Sequence, residues 1–435
     1  MARALPRSLP RLRLGLLLGV LLLGSLPLRA APPPLTLGCD WMLAYDPALP
    51  DLGNTAFPET QARYWIAVLA ETVRAPDRLW IDGRYPDARY AALHVHDGQL
   101  FTLDALSDDQ WRPRPGSRSP WRDRTRRDPT VAPGGRYRLL LELDRLRPSH
   151  GGGVDRANTL YRPPPAALAS RLQRRTVLAY RTYLPRSDNS GGVGLPRLVL
   201  ETASGRRPLA ETPDEAACAA IAASLVQDGA ALPVSLLPPL LPEAEPRFRA
   251  YDGALGSALS LGVGFNPHNG FDYAKTRLED GELLLVRGRR PSHSDQAGVR
   301  LPLLRYFSLC QYGAASQRAV ACLPDRQLPA DAQGEYTVAI SSDRQRPALL
   351  APWPEIGWLP RGPERLGVVS LRELLAREDF RAAIVHHDGQ DPGRDGYRPR
   401  ARYCRASTVQ AAAGLGAAEL FERCALEPPL RGRHR

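Results

Sequence analysis

Two histidines, His94 and His96, are separated by one residue in a stretch of alternating polar and apolar character. Side chains two residues apart in a β-strand lie on the same face, so this spacing predicts both imidazoles on one side of a strand. Asp97 and Asp104 follow shortly after. Imidazole with carboxylate suits a divalent metal or a general base. We therefore consider His94, His96 and Asp104 candidate metal ligands, and this metal is the only cofactor considered; the alternative is a solvent-facing or inter-sheet histidine pair without metal.

A second candidate site is a loop rich in tryptophan and arginine between Gln110 and Gly134. It contains the four residues that we predict to bind a ligand, namely Trp111, Trp121, Arg122 and Arg124. Indole and guanidinium groups suit a sugar face, a carboxylate or an anionic envelope polymer. The alternative is a solvated, arginine-rich loop without a ligand.

Catalytic motifs are missing from the sequence. It contains no G-x-S-x-G elbow, no H-E-x-x-H, no P-loop and no G-x-G-x-x-G. The common hydrolase and nucleotide-binding classes therefore lose support, and we predict no catalytic residue. An enzyme whose site is assembled from distant loops stays an alternative.

The elements that position these residues are repeated within the chain. Five blocks recur in the same order: Arg78–Pro86 with Leu283–Pro291, Arg89–His96 with Arg305–Tyr312, Ala105–Gln110 with Cys322–Gln327, Gly135–Leu141 with Gly334–Ile340, and Val177–Tyr183 with Val368–Leu374. The chain is thus predicted to contain two copies of one unit. Arginines recur at equivalent places, Arg89 with Arg305 and Arg181 with Arg372, which indicates a structural role.

Differences between the copies concern the candidate sites. His94 and His96 correspond to Cys310 and Tyr312, and the long loop corresponds to a short turn after Gln327. We therefore predict that any ligand site lies in the first copy and not symmetrically in both.

The fold class follows from the apolar period of 2 in the repeated blocks. Tyr137, Leu139, Leu141 and Leu143 alternate with polar residues, as a half-buried strand requires. Short strands between Gly, Pro and Asp turns predict a mainly β chain of two tandem jelly-roll-like β-sandwich domains with a few short helices. Helical patterns are confined to residues 214–226, 371–384 and 407–424.

These patterns predict five segments. They are a signal peptide (1–30), a first sandwich (31–204), a Pro-rich bridge with a short helix (205–250), a second sandwich (251–402), and a C-terminal helix with a basic tail (403–435).

A family resemblance rests on the blocks Gly135–Leu141, Ala157–Tyr161 and Val177–Pro185, and on Ile356–Pro360 and Leu371–Leu374 in the second copy. They resemble the bacterial domain-of-unknown-function 1214 family, with Tyr161 in place of the family's proline. The chain also resembles uncharacterised exported proteins of high-GC bacteria. The resemblance implies jelly-roll-like β domains and brings no activity.

The N-terminus predicts export. A basic segment (1–13) precedes a 15-residue apolar stretch (14–28), and Leu28-Arg29-Ala30 resembles a signal-peptidase site. The apolar stretch is too short to span a bilayer comfortably, so no membrane span is predicted. We therefore expect a secreted or periplasmic protein.

All six cysteines follow the predicted cleavage site, and an even number in an exported chain favours disulfides. Cys310 and Cys322 lie symmetrically about Ser316, so antiparallel pairing predicts a bridge between them. Cys404–Cys424 and Cys39–Cys218 then follow by elimination. Residues 36–39 also resemble the end of a lipoprotein box, so lipidation of Cys39 is the alternative.

Composition excludes some classes of partner. The formal net charge is +12, but 57 of the 58 basic residues are arginine, Lys275 being the only lysine, a bias typical of a GC-rich genome. No basic helix, finger spacing or RNP-type run predicts nucleic-acid binding. We predict an exported binding or envelope-associated protein of unknown extracellular or envelope ligand; the alternative is a metal-dependent or loop-assembled hydrolase acting on an extracellular polymer or lipid.

Overall fold

A computed structural model describes most of the chain after the first 36 residues. The described residues are 37–49, 52–54, 57–69, 78–151, 153–209, 218, 245–250, 266–386, 394 and 396–425. The predicted signal peptide (1–30), most of the predicted bridge and the predicted helix over 214–226, apart from helical Cys218, lie outside them.

The described chain is mainly β and forms four sheets, which confirms the predicted fold class. The first sandwich consists of two five-stranded sheets, ordered β1-β2-β8-β4-β5 and β10-β9-β3-β6-β7. Its strands are β1 Leu37–Tyr45, β2 Ala62–Leu69, β3 Arg78–Arg84, β4 Tyr90–Asp97, β5 Thr102–Ser107, β6 Arg136–Leu143, β7 Thr159–Arg162, β8 Thr176–Tyr183, β9 Arg197–Thr202 and β10 Gly205–Pro208. A single helical turn, α1 Arg171–Arg174, precedes β8.

The second sandwich has a five-stranded sheet, β11-β12-β18-β14-β15, and a four-stranded sheet, β17-β16-β13-β19. Its strands are β11 Arg249–Ala250, β12 Asn269–Arg277, β13 Glu282–Arg289, β14 Leu304–Gly313, β15 Ala319–Pro324, β16 Glu335–Ser341, β17 Gly357–Pro360, β18 Leu366–Ala376 and β19 Arg400–Arg405. Two helices follow, α2 Ala406–Ala411 and α3 Ala417–Cys424.

Strand order is the same in both sandwiches. Strands β1, β2, β8, β4 and β5 occupy the places of β11, β12, β18, β14 and β15, and β9, β3, β6 and β7 those of β19, β13, β16 and β17. The five repeated sequence blocks lie on corresponding strands in this scheme. The arrangement is the one expected of a duplicated unit.

Alternating burial explains why these residues form strands. In β6, Tyr137, Leu139 and Leu141 are buried in the sandwich core, while the residues between them are exposed or half-buried. A pleated strand produces this period of 2. In the second sandwich Tyr336, Val338 and Ile340 pack in the same way.

The predicted helix over 371–384 is wrong. Strand β18 continues to Ala376 and hydrogen-bonds along its length to β12 on one side and β14 on the other. Burial on both faces favours an apolar strand here, so tertiary context overrides the local helical pattern. The predicted C-terminal helix is present as α2 and α3, interrupted by residues 412–416.

Two predicted boundaries need adjustment. Gly205–Pro208 forms β10 and pairs with β9, so the first sandwich extends beyond residue 204. Strand β19 crosses the predicted boundary at residue 402 and pairs with β13.

The two sandwiches meet through the sheets that contain β8 and β18. Strands β4 and β8 are buried on both faces. One face lies in their own core, and part of the other lies at the junction. Tyr90 and Tyr183 of the first sandwich cluster there with Tyr306 and Leu374 of the second. The junction thereby covers Tyr90 and Ala92 on the outer face of β4, and His268 of the second sandwich contacts His94 on the same face.

The predicted disulfides are confirmed. Cys310 and Cys322 are directly opposite in the β14–β15 pair and are bonded. The other bridges are Cys39–Cys218 and Cys404–Cys424. Because the Cys39 sulfur is in a disulfide, it is not lipidated in this structure. In the part of the chain that is described, no helix is long and apolar enough to cross a membrane.

Candidate functional site

The junction between the sandwiches is held by two reciprocal ion pairs. Arg89, at the N-terminal end of β4, binds Asp325 of the second sandwich, with 3.0 Å between Nη1 and Oδ2. Arg305 of the second sandwich binds Asp108 of the first. Arg89 and Arg305 occupy equivalent positions, as do Asp108 and Asp325, so each copy supplies a guanidinium and a carboxylate to the other.

All four of these side chains are almost completely buried. Burial raises the pKa of Asp108 to about 6, and the Arg305 guanidinium opposes that rise. Burial also raises the pKa of Asp325, against the effect of Arg89. A buried ion pair of this kind tolerates loss of one partner poorly, because the remaining charge is left unpaired.

The tryptophan–arginine loop contributes to this junction. The guanidinium of Arg305 stacks on the Trp121 ring, 3.6 Å from its centroid. The same guanidinium donates hydrogen bonds to the backbone carbonyls of Asp123 and Arg124. The loop therefore closes over an arginine of the second copy.

This placement bears on the ligand-binding role that the sequence predicts for the loop. Trp121 is only 7% exposed and its accessible ring face is taken by Arg305. Trp111 is 1% exposed and packs in the core against Tyr85 and Tyr137. Neither indole is available to stack on a sugar, because each completes a packing contact instead.

Of the two predicted arginines, Arg122 is exposed and pairs with Asp128 at 3.1 Å. Arg124 is half-buried, and its backbone carbonyl serves the junction. The structure does not bring these four predicted residues together into one exposed site.

His94 and His96 lie on the same face of β4, as predicted, with stacked rings 5.7 Å apart. Both are buried, and His268 of the second sandwich lies edge-on to His94 at 5.9 Å. Burial, with the nearby Arg181 charge, lowers the pKa of His94 and lowers that of His96 to about 3. Burial also lowers the pKa of His268 to about 3. The three imidazoles are therefore neutral at physiological pH.

Asp104, the third candidate ligand, lies elsewhere. Its carboxylate accepts hydrogen bonds from Nε and Nη2 of Arg147, at 2.6 to 3.1 Å. It also accepts one from the backbone N–H of Tyr161 at 2.7 Å. In the antiparallel pairing of β4 with β5, Asp104 is opposite Val95, whose side chain is in the core, and not opposite either histidine. The predicted ligand set of His94, His96 and Asp104 is thus not assembled.

Another group of metal-ligating side chains lies at the junction, where the segment before β2 meets β14 and β15 of the second sandwich. Among the described residues, Glu59, Cys310 and Cys322 have ligand atoms within 4.8 Å of one another. Both sulfurs are in the disulfide, and Glu59 accepts a hydrogen bond from Ser308 and faces Arg372 at 3.7 Å. The carboxylate is thus used inside the junction.

The repeated arginines are structural, as predicted. Arg372 donates to the hydroxyls of Tyr183 and Tyr312 at 3.0 and 3.2 Å, across the junction and within its own sheet. Its equivalent, Arg181, is buried over the Tyr64 ring at 4.8 Å. Guanidinium groups suit such sites because they present several donors and a flat face.

An open cleft of about 450 Å³ lies at one end of the first sandwich. Three segments form it: the link between β3 and β4, the end of the long loop, and the link between β8 and β9. Its lining consists of Arg84, Asp87, Pro133, Gly134, Ser187, Gly191, Gly192 and Val193.

Glycine is required in the wall of this cleft. Gly191 has φ +74°, and a Cβ there would lie 2.8 Å from Pro86 Cβ and 2.9 Å from the Asp87 nitrogen. Gly134 has φ +96° and faces open space. Backbone therefore forms much of the cleft surface, which allows a ligand to approach closely.

The charged residues that line the cleft are Arg84 and Asp87, and the Asp188 carboxylate accepts a hydrogen bond from the Gly192 backbone in its wall. Asp87 is bound by Arg127 at 2.9 Å, and Arg186 lies 3.8 Å from the same oxygen. Arg84 is exposed, and its nearest partner is the Gly134 carbonyl at 3.4 Å. An exposed guanidinium beside an already neutralised carboxylate favours an anionic ligand.

Sequence reasoning missed Asp108, Asp325 and His268. The two aspartates lie at equivalent places in the repeated blocks 105–110 and 322–327. Because they recur together with Arg89 and Arg305, the sequence could have indicated them as partners of these arginines. His268 has no such signal, because it reaches His94 only through the packing of one sandwich on the other.

The fold occurs in a solved structure of another protein. The chain matches an uncharacterised protein from Burkholderia cenocepacia over 85% of this chain and 83% of that chain, with 15% identity and a TM-score of 0.52. A protein from Vibrio parahaemolyticus matches over 80% of this chain and 90% of that chain, with 16% identity and a TM-score of 0.40. No family model and no curated protein matches the chain. The first likeness shows the fold alone, and the resemblance to the domain-of-unknown-function 1214 family stays a prediction.

Proposed function

We propose that this chain is an exported binding protein that recognises an anionic ligand, such as a carboxylate- or phosphate-bearing envelope polymer, in the cleft of the first sandwich. The observation that carries the proposal is the exposed Arg84 guanidinium beside glycine backbone in an open cleft. A carboxylate or phosphate can accept two parallel hydrogen bonds from such a guanidinium.

The difference between the copies supports a site in the first one. Pro133 and Gly134 of the cleft wall end the long loop that the second copy replaces by the short segment from Gln327 to Gly334. Functional loops on a rigid β scaffold are a usual place for recognition.

The buried titratable groups at the junction also favour binding over acid–base chemistry. The carboxylates of Asp108 and Asp325 are paired with arginines, and His94 and His96 are enclosed and neutral. A general acid or base must reach its substrate within hydrogen-bond distance, and these groups face protein instead.

The test is calorimetric titration of oligouronates and phosphorylated glycans into wild type, Arg84→Ala and Arg289→Ala. Arg289 is the equivalent residue at the end of β13 and provides the matched control. We expect Arg84→Ala to weaken binding by roughly ten- to a hundredfold, as loss of a charged hydrogen bond does, and Arg289→Ala to leave it unchanged. Equal loss in both variants, or no binding of either ligand class, would refute the proposal.

Export has its own test. The basic segment, the short apolar stretch and the three disulfides motivate it, since structural disulfides persist in oxidising compartments. Intact-mass analysis of the extracellular or periplasmic fraction is expected to give a chain that starts at or near Ala31. Recovery of chains with Met1 from the cytosol alone would contradict it.

A further inference from the structure

The outer face of the β10-β9-β3-β6-β7 sheet has an ordered pattern of charge. Strand register places Leu140, Trp80 and Val199 side by side across β6, β3 and β9. We call these three residues the apolar row. They are half-buried, whereas the alternate residues of the same strands pack in the core.

Two charged rows flank the apolar row. Row A consists of Arg138, Asp82 and Arg197, in the strand order β6, β3, β9. Row B consists of Glu142, Arg78 and Glu201 in the same order, with Glu142 placed by continuation of the register. The charges are therefore plus, minus, plus in row A and minus, plus, minus in row B. At the edges of row B, Glu142 also pairs with Arg156 at 2.8 Å and Glu201 with Arg206 at 3.1 Å.

Contacts within the face hold these side chains in place. Arg138 binds Asp82 at 2.5 Å and its guanidinium lies over the Trp80 ring, 5.6 Å from the centroid. The Trp80 indole N–H donates to Glu201. Arg78 is exposed, and no ion pair is observed for it within the described residues.

The equivalent face of the second sandwich is covered. Leu283 and Leu285 stand at the positions of Arg78 and Trp80, and they are buried in a cluster with Leu420 and Phe421 of α3. The Cys404–Cys424 bridge ties that helix to the sheet. One copy thus covers an apolar face with its own helix, while the other presents a face of alternating charge.

We propose that two copies of this chain associate through the outer face of the first sandwich, related by a twofold axis that runs along the apolar row. Such an axis places row A of one chain over row B of the other, strand over strand. Arg138 then faces Glu142, Asp82 faces Arg78, and Arg197 faces Glu201, so that every facing pair has opposite charge. A twofold interface must be self-complementary in this way.

The competing axis is disfavoured by the same pattern. A twofold axis parallel to the strands superposes row A on row A, with Asp82 facing Asp82 and Arg138 facing Arg197. Like charges that face each other across an interface repel and disfavour association. The charge order therefore selects one of the two face-to-face arrangements. At the centre of that arrangement, Trp80 of one chain lies over Trp80 of the other.

The face is small, which is consistent with weak association of two chains. Four strands at about 4.8 Å and seven residues at about 3.4 Å give a face of roughly 450 Å² per chain. The total of roughly 900 Å² is close to the lower limit of a specific interface. We therefore expect a weak, concentration-dependent dimer in the micromolar range.

The test is sedimentation velocity on the purified chain with two charge reversals, Arg78→Asp and Asp82→Arg. The twofold axis gives two Arg78–Asp82 contacts in each dimer, and either substitution makes both of them repulsive. Each variant alone is therefore expected to self-associate about a hundredfold or more weakly than wild type. In an equimolar mixture the reversed side chains face each other with opposite charge. The mixture is therefore expected to recover a dimer that neither variant forms alone.

Recovery on mixing separates this interface from a folding defect, since a misfolded variant is not rescued by another one. Arg423→Asp, an exposed reversal on α3, is the control and is expected to associate like wild type. The proposal is overturned if wild type stays monomeric up to roughly a hundred micromolar, a concentration at which a dimer with a micromolar dissociation constant is mostly associated. It is equally overturned if the mixed variants stay monomeric, or if Arg423→Asp abolishes association.

Discussion

Arg89 and Asp325, which are 236 residues apart in the chain, form a buried ion pair between the two sandwiches, with 3.0 Å between Nη1 and Oδ2. The same relationship recurs in reverse between Arg305 and Asp108. The arginine of each copy thus binds the aspartate of the other copy, as equivalent residues do across the interface of a symmetric homodimer. Duplication has placed both halves of such an interface in one chain.

The first prediction concerns this exchange. Arg305→Met leaves the buried Asp108 carboxylate without its guanidinium partner and is expected to cost about 3–5 kcal/mol of unfolding free energy. Adding Asp108→Asn removes the unpaired charge, so the double variant is expected to lose less than the sum of the single costs. Urea unfolding of the four proteins measures the coupling. The Arg89→Met and Asp325→Asn pair is the matched second cycle, and additive costs in both cycles would show that the pairs are not coupled.

The second prediction distinguishes the two buried tryptophans. Trp111→Ala empties a core position and is expected to cost about 3–5 kcal/mol. Trp121→Leu keeps an apolar side chain but loses the ring that Arg305 stacks on, so its expected cost is about 1–2 kcal/mol. That smaller cost is expected to disappear in an Arg305→Met background.

Denaturant midpoints measure both effects. Affinity for oligouronates is expected to stay unchanged in Trp121→Leu, because the indole faces Arg305 and not the cleft. Loss of that affinity with unchanged stability would restore the binding role that the sequence predicted for Trp121.

The features that could be predicted from the sequence are those that depend on residues close to each other in the chain. The period of 2 at Tyr137, Leu139 and Leu141 determines which face of β6 is buried, and the hairpin around Ser316 determines the Cys310–Cys322 pair. Both depend on neighbours within the same strand or hairpin.

The candidate sites depend on contacts between distant segments, and there the predicted residues are not brought together. His94 and Trp121 look available for a ligand in the sequence, yet the second sandwich covers both. Asp104 is near His96 in the chain but points to Arg147. No local pattern reports how one copy packs on the other, so burial at that junction was not predictable.

The third prediction compares two disulfides. Cys39–Cys218 joins residues 179 apart, whereas Cys310–Cys322 joins residues 12 apart. Since a longer loop loses more chain entropy in the unfolded state when it is closed, removing Cys39–Cys218 by paired alanine substitution is expected to cost about 2 kcal/mol more than removing Cys310–Cys322. Guanidinium unfolding under non-reducing conditions compares the two, and equal midpoints would contradict the entropic ranking.

The last prediction concerns acid. Burial holds the pKa of His96 at about 3 in the folded chain, against about 6.5 when unfolded, so the unfolded chain binds the extra proton first as pH falls. The contribution of neutral His96 to the free energy of unfolding is therefore fully present above pH 6.5. It is lost as the pH falls from 6.5 to about 3, with roughly 2 kcal/mol lost by pH 5. Asp108 acts in the opposite sense, because its pKa is raised to about 6 and its protonation on acidification favours the folded state.

A single substitution separates these opposing effects. Neither ring nitrogen of His94 has a hydrogen-bond partner within the described structure, so His94→Phe removes a buried polar group without breaking a bond. We expect unchanged or higher stability at pH 7 and a smaller loss of stability between pH 7 and pH 5, while Asp108 still titrates. Urea unfolding across this pH range measures it, with the exposed His150→Gln as a control that keeps the wild-type slope. A His94→Phe chain that is destabilised at pH 7 and has the wild-type slope would show that His94 is held by a partner, such as a bound metal, instead of by burial alone.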